Sequence, residues 1–344
     1  MRIRALLSAC VAAFGLIVSP VAHAGDYVLK ATHRIAGEGG WDYLSYDASS
    51  NRLYVTRGTR IQVVDPDSGQ LVAEIPDTPG VHGVALALDL GKGYTSNGRG
   101  NSITVFDLDR LRTLTQVATP DADNPDFIVY DAVSRRVFAF NGRSHDASVI
   151  DATTDRIVAT IALAGKPESA VVDGRGKVFV AIEDRNEIQV IDARSAHVNA
   201  SWTVTGCDEP AGLAIDTESQ RLFVGCHNRV MAIVSSEAGA TVATLPIGAG
   251  VDAVVFDTLT KQAFSSQGDG TLTVVRAETG DRFSVQQTVA TPSGARTMAL
   301  NPRTHELYLV TAEYDETAGA NQPGVRRTMR PGTFRLLVLA PQAN

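Results

Sequence analysis

The chain has 344 residues, of which 44% are hydrophobic and 20% are charged, and its formal net charge at pH 7 is −7. This composition fits a protein that buries a core and excludes a mainly disordered chain. The acidic balance argues against nucleic acid as a general partner.

The first 24 residues have the pattern of a secretory signal peptide. Arg2 and Arg4 precede an apolar run at 5–18, and Ala22-His23-Ala24 forms an A-x-A cleavage site. The apolar run is too short for a transmembrane helix, so the mature chain is predicted to have no membrane-spanning segment. Cleavage would remove two basic residues and no acidic one, which changes the net charge to about −9. The sequence predicts an exported protein, periplasmic or secreted, whose mature part is one domain at 25–344.

The segment 124–161 contains four short apolar runs separated by turn residues. The runs occupy 127–130, 137–140, 148–150 and 156–161. Runs rich in β-branched and aromatic residues, with Gly, Asn, Asp and Ser between them, predict a four-stranded antiparallel meander. Such a unit cannot bury both of its faces alone, so it needs copies of itself on either side.

The copies recur along the chain at intervals of 40 to 44 residues. The residues that mark the end of the first run in each copy are Asp47, Ala87, Asp131, Asp173, Asp216, Asp257 and Asn301. An aromatic follows each mark after six or seven residues: Tyr54, Tyr94, Phe138, Phe179, Phe223, Phe264 and Tyr308. A period of about 42 residues with four strands in each repeat is typical of propeller blades.

The seventh copy has only three runs after its mark. The segment 27–35 precedes the first complete copy and has the pattern of the missing strand. An N-terminal strand that completes the last blade would close the ring and leave no free sheet edge. The sequence therefore predicts an all-β fold, a seven-bladed β-propeller of four-stranded antiparallel blades closed by this strand.

Two cysteines remain after removal of the signal, Cys207 and Cys226. In a propeller, the start of strand one and the end of strand two lie on the same face, and the two cysteines hold these positions in the fifth blade. A disulfide between them is expected in an exported protein, and two buried free thiols are the alternative.

Ionisable residues recur at the start of the innermost strands, where the central channel opens. The aligned positions, five residues before each mark, hold Asp42, His82, Asp126, Glu168, Ala211, Asp252 and Arg296. Crowding like charges at one place is unfavourable unless a ligand or an ion compensates for them. The pattern predicts a ligand site at the channel mouth, and a merely hydrated polar rim is the alternative.

The ends of the second strands share that face. Asn97, Asn141, Glu183 and His227 stand there, and we include them as candidate ligand contacts. Asn followed by Gly is also ordinary turn chemistry, whereas Glu183 and His227 are not preferred turn residues. No metal-ligand spacing or cofactor motif occurs, so no cofactor is predicted. Calcium prefers oxygen ligands, and a divalent cation among these carboxylates is therefore the one inorganic ligand to consider.

The seventh blade carries an insertion at about 312–332 on the same face. It includes Arg326, Arg327 and Arg330 beside the acidic mouth. Long loops in compact domains are usually functional or disordered. The insertion is either a lid over the mouth or a mobile surface loop.

Three segments resemble a known propeller repeat: Tyr54-Val55-Thr56, Ile103-Thr104-Val105-Phe106-Asp107 and Gln189-Val190-Ile191-Asp192. On these segments the chain resembles the YVTN-repeat, YncE-like family of seven-bladed β-propellers. Phrases such as Thr95-Ser96-Asn97-Gly98-Arg99 and Gly225-Cys226-His227-Asn228 resemble those of an exported bacterial subgroup. The resemblance covers the whole mature chain and implies the fold more strongly than a function. Relatives are linked to binding of single-stranded DNA and to redox enzymes with haem or quinone cofactors. The acidic mouth argues against the first link, and the missing cofactor motifs argue against the second.

Three functions fit these observations. The first is a monomeric, non-enzymatic binding propeller that recognises a small polar molecule, a cation or a periplasmic protein or peptide at the channel mouth. The second is a metal-assisted hydrolase or lactonase in which carboxylates and Asn97 or Asn141 hold a cation that activates water, and His82 or Glu168 serves as the base. The third is a scaffold that holds a protein partner on its rim loops.

Overall fold

The computed structural model describes residues 25–315 and 328–342, and these residues form seven four-stranded antiparallel sheets. The predicted signal peptide at 1–24 and the predicted contacts of Arg326 and Arg327 lie outside the described residues. None of the helical segments in the described ranges has the length and hydropathy needed to cross a lipid bilayer.

The first strand, β1 (Tyr27–Arg34), belongs to the last blade, and the complete blades follow in chain order. Blades one to three consist of β2 (Leu44–Asp47), β3 (Arg52–Arg57), β4 (Arg60–Val64), β5 (Leu71–Ile75), β6 (Val81–Ala87), β7 (Lys92–Asn97), β8 (Ser102–Asp107), β9 (Arg112–Ala118), β10 (Pro125–Asp131), β11 (Arg136–Asn141), β12 (Asp146–Asp151) and β13 (Arg156–Ala162). Blades four to six consist of β14 (Pro167–Val172), β15 (Lys177–Ile182), β16 (Glu187–Asp192), β17 (His197–Thr203), β18 (Pro210–Asp216), β19 (Arg221–Cys226), β20 (Val230–Ser235), β21 (Thr241–Pro246), β22 (Val251–Asp257), β23 (Gln262–Gln267), β24 (Thr271–Ala277) and β25 (Phe283–Ala290).

The seventh blade closes the ring as the sequence predicts. It consists of β26 (Met298–Leu300), β27 (Leu307–Thr311), β28 (Arg335–Pro341) and β1, in the order β26, β27, β28, β1. β1 pairs antiparallel with β28 from Tyr27 opposite Pro341 to Arg34 opposite Arg335. Two short 3-10 turns, Leu88–Leu90 and Glu183–Arg185, complete the regular structure of the described residues.

The core lies between the blades. The seven aromatics that mark the repeat are buried on the second strands, each no more than 1% exposed. Every apolar cluster combines two neighbouring blades, as where Phe138 and Val180 pack together. Each blade therefore buries its faces only against its neighbours, which explains why the chain needs the complete ring.

The aspartates that mark the repeat make turns on the face opposite the channel mouth. Oδ1 of Asp47 accepts a hydrogen bond from the backbone N–H of Ser49 at 2.8 Å, and Oδ1 of Asp257 accepts one from Leu259 at 2.9 Å. A carboxylate that accepts from the backbone two residues later fixes a tight turn. These aspartates act in folding, and the ionisable residues of the mouth lie at the other end of the same strands.

The predicted disulfide is present. Cys207 and Cys226 are bonded, with their Cα atoms 5.4 Å apart, and join the start of the inner strand β18 to the end of β19. Both side chains are buried in the cluster between the fourth and fifth blades. The disulfide fixes one segment of the face that carries the mouth.

Candidate functional site

The mouth of the central channel is formed where the inner strands begin. Most of these strands have a register shift there, between Val81 and Val84 in β6, between Pro125 and Ile128 in β10, and between Val251 and Ala253 in β22. A β-bulge leaves a residue out of the ladder and re-aims its side chain. His82, Asp126 and Asp252 lie within these shifts, which brings side chains from different blades together.

Hydrogen bonds between blades hold these strand starts in place. The Oγ1 of Thr297 donates to the carbonyl oxygen of Asp42 at 2.8 Å, and the Ser96 hydroxyl donates to the carbonyl of Asp126. The backbone N–H of Tyr43 donates to the carbonyl of His82 at 3.0 Å. The mouth is therefore positioned by backbone contacts as well as by its ion pairs.

His82 bridges two carboxylates. Its Nδ1 lies 2.6 Å from Oδ2 of Asp42 and 3.3 Å from Oδ1 of Asp126. Burial lowers the pKa of His82, but the hydrogen bond with Asp42 and the charges of Asp126, Asp42 and Glu168 outweigh burial and raise the pKa above its usual value. The imidazolium is consequently favoured between the first three blades.

Lys166 bridges two further carboxylates. Its Nζ lies 2.9 Å from Oε2 of Glu168 and also pairs with Glu183. Burial opposes the charge of Lys166, but these two carboxylates raise the pKa of its ammonium group overall. Lys166 connects Glu183, at the end of the second strand, to Glu168 on the inner strand of the same blade.

The remaining charged positions form two groups. One joins the sixth and seventh blades, and the other lies around His227. Nε of Arg296 contacts Oδ2 of Asp252. Nδ1 of His227 lies 3.0 Å from Oε2 of Glu209 and 3.9 Å from Oε1 of Glu183. Glu209 is largely exposed, which indicates that the group around His227 lies nearer the rim than the pair of Arg296 and Asp252.

Burial makes the carboxylates of the mouth hard to ionise. Burial raises the pKa of Glu168 to about 7, against the opposing charge of Lys166, and burial raises the pKa of Asp126 to about 6, against His82. The pKa of Asp252 is also raised, chiefly by burial. The basic groups present therefore compensate only in part for the negative charge that the mouth acquires when it ionises.

Tyr43 lies at the centre of this charge. The side chain is 8% exposed, and its ring packs edge-to-face on Phe127 with centroids 4.8 Å apart. Burial raises the pKa of its hydroxyl well above the usual value, and the carboxylates Asp252, Glu168, Asp42 and Asp126 raise it further. Tyr43 also lines the central channel, where the inner strands of the seven blades meet.

Within the part of the chain that the structure describes, two groups of side chains have the composition of a cation site. The ligating atoms of Asp42, His82 and Asp126 lie within 4.8 Å of one another, and so do those of Glu183, Glu209 and His227. Carboxylate oxygens with an imidazole nitrogen suit several divalent cations.

Asn97 and Asn141 are placed differently from the other candidates. Both are fully buried at the ends of β7 and β11. Nδ2 of Asn97 donates to Oγ1 of Thr104 at 2.9 Å, and Nδ2 of Asn141 donates to Oγ of Ser148 at 3.0 Å. These contacts join the second and third strands of one blade.

The described part of the seventh-blade insertion is held by its own acidic residues. Tyr314 pairs with Met329 in an isolated bridge, and Nε of Arg330 lies 3.0 Å from Oδ1 of Asp315. Trp41, before the first blade, contacts the rings of Tyr314 and Phe334 at 6.1 and 5.2 Å between centroids. The insertion therefore begins and ends beside the first blade.

Sequence reasoning missed Lys166, Glu209 and Tyr43. Lys166 and Tyr43 each lie within two residues of an aligned mouth position, so an inspection of the flanking positions would have found both. Glu209 precedes the inner strand of the fifth blade, the only blade whose aligned mouth position is not ionisable.

Comparisons with known proteins identify the fold and no family. No protein-family model matches the chain, and no curated protein matches it. A chain of hydrazine synthase from Kuenenia stuttgartiensis superposes with a TM-score of 0.69 at 14% identity, over 82% of this chain and 95% of that chain. A chain of the mitotic checkpoint complex superposes with a TM-score of 0.72 at 16% identity, over 96% of this chain and 98% of that chain. At these identities the similarity defines a seven-bladed β-propeller, a fold compatible with binding and interaction roles.

Proposed function

We propose that this chain is an exported binding protein whose channel mouth recognises a positively charged ligand. The observation that carries the proposal is the convergence of Asp42, Asp126, Glu168 and Asp252 from four blades on one buried opening, with incomplete compensation by the bases present. A cation placed among these carboxylates would favour their ionised forms and gain several charge-assisted hydrogen bonds.

Export is supported by two features of the chain. The pattern of the first 24 residues is that of a secretory signal, and disulfides persist mainly in oxidising compartments. The periplasm or the extracellular medium is therefore the proposed location. Cell fractionation tests this: an intact disulfide and the absence of residues 1–24 in the periplasmic or secreted fraction are expected.

Membership of the YVTN-repeat, YncE-like family is proposed on the repeat segments and on the fold. Segments such as Gln189-Val190-Ile191-Asp192 recur as third strands in the ring. The blade number agrees with the seven blades of that family. The family relation leaves the ligand open, and the residues of the mouth alone indicate its charge.

Thermal denaturation with a ligand panel tests the proposed function. Calcium, magnesium, methylammonium and a lysine-rich peptide represent cations, and neutral sugars represent uncharged ligands. A cation at one hundred times its Kd would stabilise the folded protein by about 2.7 kcal/mol. We expect at least one cation, and no neutral sugar, to raise the melting temperature.

Variants that each remove one carboxylate test whether the cation binds at the mouth. Glu168→Gln and Asp126→Asn should each weaken the binding of that cation about tenfold, because each removes a carboxylate from the mouth. The matched controls are Glu278→Gln and Asp109→Asn, exposed residues in turns on the opposite face. Equal affinity in all four variants and the unaltered chain would contradict the proposal.

A metal-assisted hydrolase is the second candidate, favoured by the grouping of Asp42, His82 and Asp126. These residues would hold a divalent cation, and Glu168, whose pKa of about 7 suits a general base, lies beside them. Metal analysis of the purified protein and a panel of lactones and esters test this candidate. Stoichiometric metal, with turnover that is lost in Glu168→Gln while the fold is retained, would favour it over the binding protein.

A further inference from the structure

An apolar cavity of about 440 Å³ lies along the central channel, directly below the mouth. All seven blades contribute to its wall, and most of the lining side chains are aliphatic, among them Val84, Val129, Val171, Leu213 and Val254. Sites for small molecules in proteins commonly have volumes of about 300–1,000 Å³, apolar walls and a few polar groups. The cavity has these properties, and its few polar side chains include Ser45, Ser169 and Asp252.

The cavity and the mouth share two residues. Asp252 and Tyr43 line the cavity, and both also belong to the charged mouth. The hydroxyl of Tyr43, on a side chain that is more than nine-tenths buried, makes no hydrogen bond with the described residues. The hydroxyl oxygen keeps accessible surface at the cavity wall, so a ligand atom that enters the cavity can bond to it in place of water.

We propose that the ligand is an organic amine: its ammonium group lies among the mouth carboxylates and the Tyr43 hydroxyl, and its apolar body fills the cavity. This rests on the proposed recognition of a cation at the mouth and adds the chemical class of that cation. An ammonium group offers three donors, and Asp252 and Tyr43, which line the cavity where it meets the mouth, each present an oxygen that accepts.

Other ligand classes fit the cavity less well. A hydrated metal ion could occupy the mouth but gains nothing from aliphatic walls, which cannot replace its water. A sugar would leave its hydroxyl groups without partners along those walls. An apolar chain is stabilised when it leaves water for the cavity. An anionic head group on such a chain would be repelled by the carboxylates of the mouth.

A homologous series of ligands tests the proposal by calorimetric titration of the full chain without its signal. The probes are methylammonium, butylammonium and hexylammonium chloride, with hexan-1-ol and sodium hexanoate as matched ligands of the same chain length. Each buried methylene should tighten binding about fourfold. Hexylammonium, with five more methylenes, is therefore expected to bind on the order of 1,000-fold more tightly than methylammonium, and far more tightly than the alcohol or the carboxylate.

Variants separate the cavity from the mouth. Val171→Phe and Val129→Phe enlarge half-buried side chains that line the cavity, and either should remove most of the gain in affinity from methylammonium to hexylammonium. Val158→Phe is the control, because Val158 is 49% exposed on the outer strand β13. Tyr43→Phe removes only the hydroxyl and should weaken every ammonium ligand several-fold.

The outcomes distinguish this proposal from the proposed function. Equal affinity for methylammonium and hexylammonium, weakened in Glu168→Gln, would overturn the organic-amine proposal and leave cation recognition standing. Hexan-1-ol binding as tightly as hexylammonium would also overturn it, since the charge would then play no part. Binding of none of the cations would overturn both proposals. If one enlarged variant fails to fold, the other variant and the ligand series still decide the matter.

Discussion

Nδ1 of His82 lies 2.6 Å from Oδ2 of Asp42, and this contact joins the first and second blades at the channel mouth. The imidazole also lies 3.3 Å from Asp126 of the third blade. One side chain therefore separates two carboxylates that would otherwise repel each other. Its protonation state consequently affects both the stability of the ring and the charge that a ligand meets.

The first prediction concerns the pH dependence of the His82 contribution to stability. Burial lowers the pKa of His82, but its carboxylate partners raise the pKa overall. The stabilisation is therefore fully present below the unfolded value of about 6.5 and is lost as pH rises through the folded value. His82→Ala should lower the free energy of unfolding by about 1–2 kcal/mol at about pH 5.5 and by less at about pH 9.

Urea denaturation at the two pH values measures this difference. His197→Ala is the control, because His197 is exposed on the outer strand β17. Equal destabilisation by His82→Ala at both pH values would show that the imidazolium contributes nothing as a charge.

The second prediction concerns the effect of Glu168, a buried acid, on the pH dependence of stability. Burial raises the pKa of Glu168 to about 7 in the folded protein, so the folded state holds the proton more tightly than the unfolded state. Stability therefore falls as pH rises from about 4.5 to about 7. Glu168→Gln should be more stable than the unaltered chain by about 1–3 kcal/mol at about pH 8, and close to it at about pH 4.5.

Chemical denaturation across this pH range measures the Glu168 effect, with Glu278→Gln as the exposed control. A Glu168→Gln variant that is less stable at high pH would mean that the pairing with Lys166 outweighs burial.

The third prediction concerns the affinity for cations. As the pH rises, Glu168 and Asp126, whose pKa values are raised to about 7 and about 6, become negatively charged. Binding of methylammonium should tighten about tenfold between about pH 5 and about pH 8. Calorimetric titration at the two pH values measures this, and affinity that stays constant would place the binding site away from these two carboxylates.

The fourth prediction concerns the disulfide. Cys207 and Cys226 are 19 residues apart in sequence, and closing a loop of that length stabilises a protein by roughly 3 kcal/mol in the chain-entropy model. Replacing both cysteines with serine should lower the free energy of unfolding by about that amount. A reducing agent should have the same effect on the unaltered chain and none on the double variant, and an unchanged stability after reduction would contradict the prediction.

The sequence was sufficient to predict the ring because its signals are local and repeated. Asp47 and Asp257 make the same turn at the same point of two blades, and buried aromatics such as Phe138 follow at a fixed distance. The disulfide followed from the same periodicity, since alignment of the blades placed both cysteines on one face.

The site was predicted only as a set of positions. Alignment brought Asp126 and Glu168 to the mouth, but their partners depend on bulges and side-chain reach that periodicity does not encode. The hydrogen bonds that Asn97 and Asn141 make within their own blades likewise could not be predicted from the repeat. The cavity was not predicted, since its walls belong to seven strands that are distant in sequence.

A crystal structure of the protein soaked with hexylammonium chloride tests most directly whether the channel mouth binds a cation. We expect the ammonium nitrogen to lie about 2.7–3.2 Å from oxygens of at least two of Asp42, Asp126, Glu168 and Asp252. Ammonium bound only at other surfaces, with water alone among these four carboxylates, would contradict the proposed site.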